Sequence, residues 1–114
     1  MSKLTIALDI MGGDHGPPVI LPAAVKAIQL HPDVHFTLCG DEDTIKAGIQ
    51  PLTNAERNRV TIVHCSQVVE MGEAPTSALR NKKDSSMRRV IELVESGEAN
   101  ACVSAGNTGA LLTL

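Results

Sequence analysis

At 114 residues the chain has room for one domain, with a core adequate for independent folding but not generous. Its net charge of −3 argues against general nucleic-acid binding, which favours a strongly basic surface, and its 43% apolar and 20% charged residues are ordinary for a globular protein. Phe36 is its single Phe, Tyr or Trp, so Val, Ile, Leu, Ala and Met have to build the core.

The stretch Lys3–Ile10 (KLTIALDI) is β-rich and nearly continuous in apolar character, as a buried parallel strand requires. A glycine- and proline-rich turn, MGGDHGPP, follows it. The pattern predicts a helix from Pro18 or Val19. A start at Val19 puts Pro22 at the fourth helical position, where a missing N–H costs nothing. Ala23, Ala24, Ala27, Ile28 and Leu30 supply its body, and His-Pro-Asp stops it. VHFTLCG (34–40) alternates Val34, Phe36 and Leu38 and reads as a second strand. DEDTIKAGIQPL opens with the acidic residues that suit a helix N-terminus and meets a breaker at Pro51. RVTIVHC (59–65) is the third strand. DSSMRRVIELVESGEA is the clearest helix: Asp84 or Ser85 can cap it, Met87, Val90, Ile91 and Val94 share a face, and Gly97 can end it. NACVS (100–104) is the fourth strand, and Leu111–Leu114 read as the first turns of a further helix.

Strands and helices alternating through short connections predict an α/β domain, residues 1–114, with a mostly parallel sheet. Such a sheet needs cover on both faces, and the chain is expected to lack part of it. Cys39, Cys65 and Cys102 are odd in number, far apart and outside any CxxC or Cys/His cluster. They read as reduced thiols of a cytosolic protein, each a small buried hydrophobe, and no zinc site is expected. The N-terminal apolar run meets Asp9 before a signal-peptide core would end, and no apolar run approaches the roughly 18 residues of a spanning helix. Cytoplasmic location is the expectation.

In open α/β sheets ligands bind beyond the carboxyl ends of the strands, and three unusual segments fall there. In SAGNTGA, Gly106 and Gly109 let backbone N–H groups approach a ligand. Ser104, Asn107 and Thr108 add short polar groups, and a following helix would offer its positive end, a combination suited to phosphate. The segment is neither a Walker loop nor GxGxxG, and a plain serine-capped turn is the alternative. In RNKKDSSMRR, Arg80, Lys82, Lys83, Arg88 and Arg89 surround a helix start at which Ser85 and Ser86 sit. The alternative there is a solvated helix start. In DIMGGDHG, Asp9 and Asp14 flank Gly12 and Gly13, so two carboxylates are available for acid–base work or a metal. Met11 replaces the second Asp of the aspartyl-phosphate pattern. Asp14 can equally hold the turn through backbone N–H groups, and His15 is either a general acid or a turn residue. His31, His35 and His64 share no spacing.

Taken together, ALDIMGGDHGP, KKDSSM and ACVSAGNTGAL, in this order, resemble the bacterial phosphate acyltransferases of phospholipid synthesis. The resemblance runs along essentially the whole chain and looks like the N-terminal part of a longer enzyme. It implies a three-layer α/β/α fold like that of isopropylmalate dehydrogenases and phosphotransacetylases, a homodimer, and no cofactor or metal. The implied reaction joins inorganic phosphate to the acyl group of acyl-[acyl-carrier-protein], and the acyl phosphate feeds a membrane glycerol-3-phosphate acyltransferase. Phosphate is then the nucleophile, so no serine or cysteine nucleophile is needed. On this resemblance Asp9, Asp14, His15, Lys83 and Asn107 become the catalytic candidates. Gly12, Gly13, Ser85, Ser86, Ser104, Gly106, Thr108 and Gly109 become the phosphate or substrate contacts. Arg80, Lys82, Arg88 and Arg89 would dock the acidic carrier protein. Any contact with the membrane surface is expected from regions outside this sequence. Two other readings stay open: a phosphotransacetylase-like enzyme taking acyl-coenzyme A, and a non-catalytic binding fragment.

Overall fold

The computed structural model describes residues 4–12, 16–67 and 84–104. Four strands, β1 (Leu4–Asp9), β2 (Val34–Gly40), β3 (Val60–His64) and β4 (Ala101–Val103), form one sheet in the order β3-β2-β1-β4. Every pairing is parallel, with Leu8 opposite both Leu38 and Val103. The helices are α1 (Pro17–Leu30), α2 (Glu42–Gly48), α3 (Asn54–Arg57) and α4 (Ser86–Glu95).

The two faces of the sheet follow from side-chain alternation. Ile6, Leu8, Phe36, Leu38, Val60 and Ile62 point to one side, where α1 adds Leu21, Ala24, Val25 and Ile28 and α2 adds Ile45. Ala7, Cys39, Val63 and Cys102 point to the other, against Val90, Ile91, Leu93 and Val94 of α4. Helices therefore cover both faces, and the expected three-layer α/β/α arrangement is the observed one.

One helix boundary differs from the sequence reading, and one short helix is additional to it. Helix α1 begins at Pro17, behind a Gly16 with φ of +61°, a backbone setting that glycine adopts without strain. Pro17 and Pro18 occupy the first turn, where their missing N–H groups would have been unpaired in any case. Pro22 consequently sits in the sixth helical position, not the fourth, and its missing N–H forgoes a bond to the Pro18 carbonyl. The ring lies on the exposed side of the helix, away from the core. The sequence reading also passed over α3, a single turn with no buried residue and so no apolar period to detect. Its mark was the capping box of Thr53 and Glu56, in which each side chain accepts from the other's backbone N–H, at 2.8 and 3.1 Å.

Among the described residues the α1 face keeps an apolar groove of about 530 Å3, bordered by Leu4, Ile6, Leu8, Ile20, Ala23 and Val103. Leu4 and Val103 are 47% and 57% exposed there.

Ile28, with no exposed surface, is the anchor of α1. Ile28→Ala is expected to cost about 2–5 kcal/mol, read as a lower urea midpoint at unchanged slope. A loss below about 1 kcal/mol would mean the α1 face is not the main core.

Candidate active site

The sheet order creates a topological switch point. From β1 the chain crosses to β2 through α1 on one face, whereas it reaches β4 after α4 on the other. Strands β2 and β4 thus flank β1 on opposite sides, the arrangement that in open α/β sheets marks the carboxyl ends as the ligand side. Asp9 is the last residue of β1, and Ser104 directly follows β4.

Asp9 is 3% exposed and faces the α4 side. Its carboxylate accepts four hydrogen bonds. Oδ1 takes the N–H groups of Met11 and Gly12, at 3.2 and 3.1 Å, and the hydroxyl of Ser86. Oδ2 takes the hydroxyl of Ser104 at 2.7 Å. Ser86 is the first residue of α4, so the positive end of that helix also lies beside the carboxylate. The three segments singled out in the sequence therefore meet on one buried charge.

This geometry fixes the hydrogen-bond partners of several predicted residues. A serine hydroxyl has one proton, and those of Ser86 and Ser104 are both given to Asp9. In this arrangement both hydroxyl protons are committed to the carboxylate. The Gly12 N–H is likewise committed to Asp9. Ser85 caps α4: its Oγ accepts the Arg88 N–H at 3.1 Å, and the residue has no exposed surface. Asp9 itself holds residues 11–12 through their backbone N–H groups.

Residues that the sequence reading did not place at the site complete the setting. Gly40 closes β2, and a Cβ there would lie 2.9 Å from Cγ of Met11, so the side chain of the Asp9 loop rests directly on glycine. Asp84 ties the start of α4 to the segment after β3. Its carboxylate accepts the Ser66 hydroxyl at 2.6 Å and the Ser66 N–H at 3.0 Å, while its own N–H donates to Gln67 Oε1 at 2.9 Å. The Ser66 bonds hold the Asp84 carboxyl below its ordinary range, with a smaller contribution from the charge of Arg89. Cys39, opposite Asp9 in the sheet, is fully buried; contact with Cys65 and burial push its thiol up, so it stays protonated. Among the described residues no group of three His, Cys, Asp or Glu is placed to hold a metal ion.

The family described as "Fatty acid synthesis protein" matches residues 4–114, nearly the whole chain. The chain belongs to this family. Curated relatives named "Phosphate acyltransferase" include those of Halorhodospira halophila (52% identical over 97% of this chain), Pseudoalteromonas atlantica (53% over 100%) and Legionella pneumophila strain Paris (53% over 98%). The chain spans about a third of the length of these relatives, 32–33% of each.

For this fatty acid synthesis family member, the remaining predicted residues divide in two. Gly13, Asp14, His15, Arg80, Lys82, Lys83, Gly106, Asn107, Thr108 and Gly109 lie outside the described residues. Of the predicted carrier-docking residues, Arg88 pairs with Glu92 at 4.0 Å, whereas Arg89 borders a polar groove with Thr5, Thr37, Thr61 and Glu98. Among the described residues no helix is long and apolar enough to cross a membrane.

Replacing Asp9 by Ala strands two hydroxyls and two N–H groups. A loss of about 3–5 kcal/mol is expected, with a distinctly smaller loss for Asp9→Asn, which keeps one acceptor oxygen. Equal urea midpoints for Asp9→Ala and the parent protein would refute the clamp. Because the folded-state pKa of Asp84 lies below its unfolded value, its contribution is present above the unfolded pKa of about 4 and lost as pH falls through the folded one. Thermal melts of Asp84→Asn against pH are therefore expected to show a shallower acid decline than the parent.

Proposed function

We propose that this sequence forms part of an acyltransferase that makes acyl phosphate from acyl-[acyl-carrier-protein] and inorganic phosphate, supplying membrane phospholipid synthesis. The observation that carries this reading is the meeting of the three motif segments on Asp9 at the switch point, in a chain about half identical to relatives named phosphate acyltransferase.

In the proposed reaction a phosphate oxygen attacks the thioester carbonyl, the C–O bond forms and the C–S bond breaks. Hydrogen phosphate brings one proton and the departing thiolate takes one, so the exchange balances without an added acid. The enzyme has to aim the anion, stabilise the carbonyl oxyanion and let the thiol leave. We assign phosphate holding to the segment containing Gly106, Asn107, Thr108 and Gly109, and charge neutralisation to Lys83. Asp14 and His15 are the proposed proton handlers. Ser86 and Ser104 become struts that fix Asp9, which differs from direct phosphate contact. Arg88 and Arg89, with Arg80 and Lys82, form the proposed carrier-protein dock, and residues 1–114 form one α/β domain of the enzyme.

The test uses the full-length protein, acyl-carrier protein thioester and phosphate, with the acyl phosphate trapped by hydroxylamine. Phosphate-dependent hydroxamate is expected, falling on Lys83→Ala or Asn107→Ala, with an apparent affinity for carrier protein that weakens as salt rises. A clear preference for acyl-coenzyme A would favour the phosphotransacetylase-like reading. Absence of phosphate-dependent product with either donor would remove the proposal.

A further inference from the structure

The lone-pair arithmetic of Asp9 carries one step more. Oδ1 is filled by three donors, whereas Oδ2 has one, the Ser104 hydroxyl, and retains capacity to accept another. Because its partner follows β4, Oδ2 lies on the β4 side of the carboxylate, at the carboxyl end of the sheet. All four donors to Asp9 are neutral, so among the described residues no cation pairs with the carboxylate. The Ser86 and Ser104 hydroxyl protons are both spent on Asp9, so neither hydroxyl serves as a donor to a ligand there. Asp9 is thus an acceptor that carries negative charge, and an anion that brings a proton of its own can donate to it.

We propose that Asp9 is a specificity-determining residue that accepts the O–H of hydrogen phosphate through Oδ2, so that the site selects protonated oxyanions and rejects fully ionised ones. The inference rests on the reading of the site as a phosphate site. Hydrogen phosphate and hydrogen arsenate offer an O–H at neutral pH. Sulfate and monofluorophosphate match them in size but offer none, and each would set bare negative oxygens against a buried carboxylate. Selection of this kind works through repulsion of the wrong ligand as much as attraction of the right one.

The experiment measures binding of phosphate, arsenate, sulfate and monofluorophosphate to the full-length protein by calorimetry at constant ionic strength, with phosphate-dependent turnover followed separately. Phosphate and arsenate are expected to bind roughly ten- to a hundredfold tighter than the other two, the range set by one unmade hydrogen bond at a buried group. In Asp9→Asn, where an N–H2 can replace Oδ2, the phosphate-to-sulfate ratio is expected to fall at least about tenfold. Should Asp9→Asn fail to fold, the four-anion series on the parent protein decides alone. Sulfate binding within about threefold of phosphate, or binding of none of the four anions, overturns the inference. Selective phosphate binding without turnover would leave the Asp9 selection standing and remove the acyl-transfer reading; turnover with no selection against sulfate would do the reverse.

Discussion

A carboxylate that is almost wholly buried has to be compensated by the protein around it, because removal from water penalises its charged form. At Asp9 the compensation is spread over the Met11–Gly12 turn, the first residue of α4 and the residue after β4. Each of these could be placed in several ways by its own local chemistry. Their common need to satisfy one carboxylate leaves a single arrangement, since moving any one of them strands a donor and weakens the others' acceptor. The end of α4 adds a favourable dipole at the same point. The charge that is costly to bury is thus what gives these three segments a defined arrangement.

How α4 comes close enough is a matter of side-chain size on one face of the sheet. On the face it covers, β1 presents Thr5, Ala7 and Asp9, and β2 presents His35, Thr37 and Cys39. Ala7 is fully buried and Cys39 is small, so Val90 can pack between them near the carboxyl ends. Towards the amino ends the same face turns polar, and His35 and Thr61 bond to each other across strands at 2.7 Å. A helix seeking apolar contact therefore settles over the half of the sheet that holds the site. Packing chooses its position; Ser85 and Ser86 then fix its first turn.

The strands and the long helices were legible because apolar periodicity reports burial, and burial dominates both. The meeting of the three motif segments was legible too, since parallel alternation forces all of them to the carboxyl ends. What the sequence did not disclose was the division of labour between neighbouring serines. Asp84 and Ser85 were equally plausible caps, and a one-residue shift turns each side chain by about 100° around the helix axis. With Ser85 as the cap, Ser86 turns onto Asp9 and Asp84 is released to hold Ser66. Nor does sequence show which way a hydroxyl points its proton. That direction depends on a buried acceptor 95 residues away in the case of Ser104.

Proton direction also bears on how a phosphate nucleophile can be aimed under the proposed reaction. A cradle made only of donors holds a tetrahedral anion firmly but has little to distinguish one oxygen from another. An acceptor on one wall breaks that equivalence, because only the protonated oxygen can face it. The three unprotonated oxygens are then turned towards the donor side and the thioester, where the attacking lone pair is needed. Orientation of this sort acts before the barrier and requires no covalent intermediate on the protein. A buried aspartate next to an anion site, which at first looks like an electrostatic fault, is under this reading the element that gives the anion a front and a back.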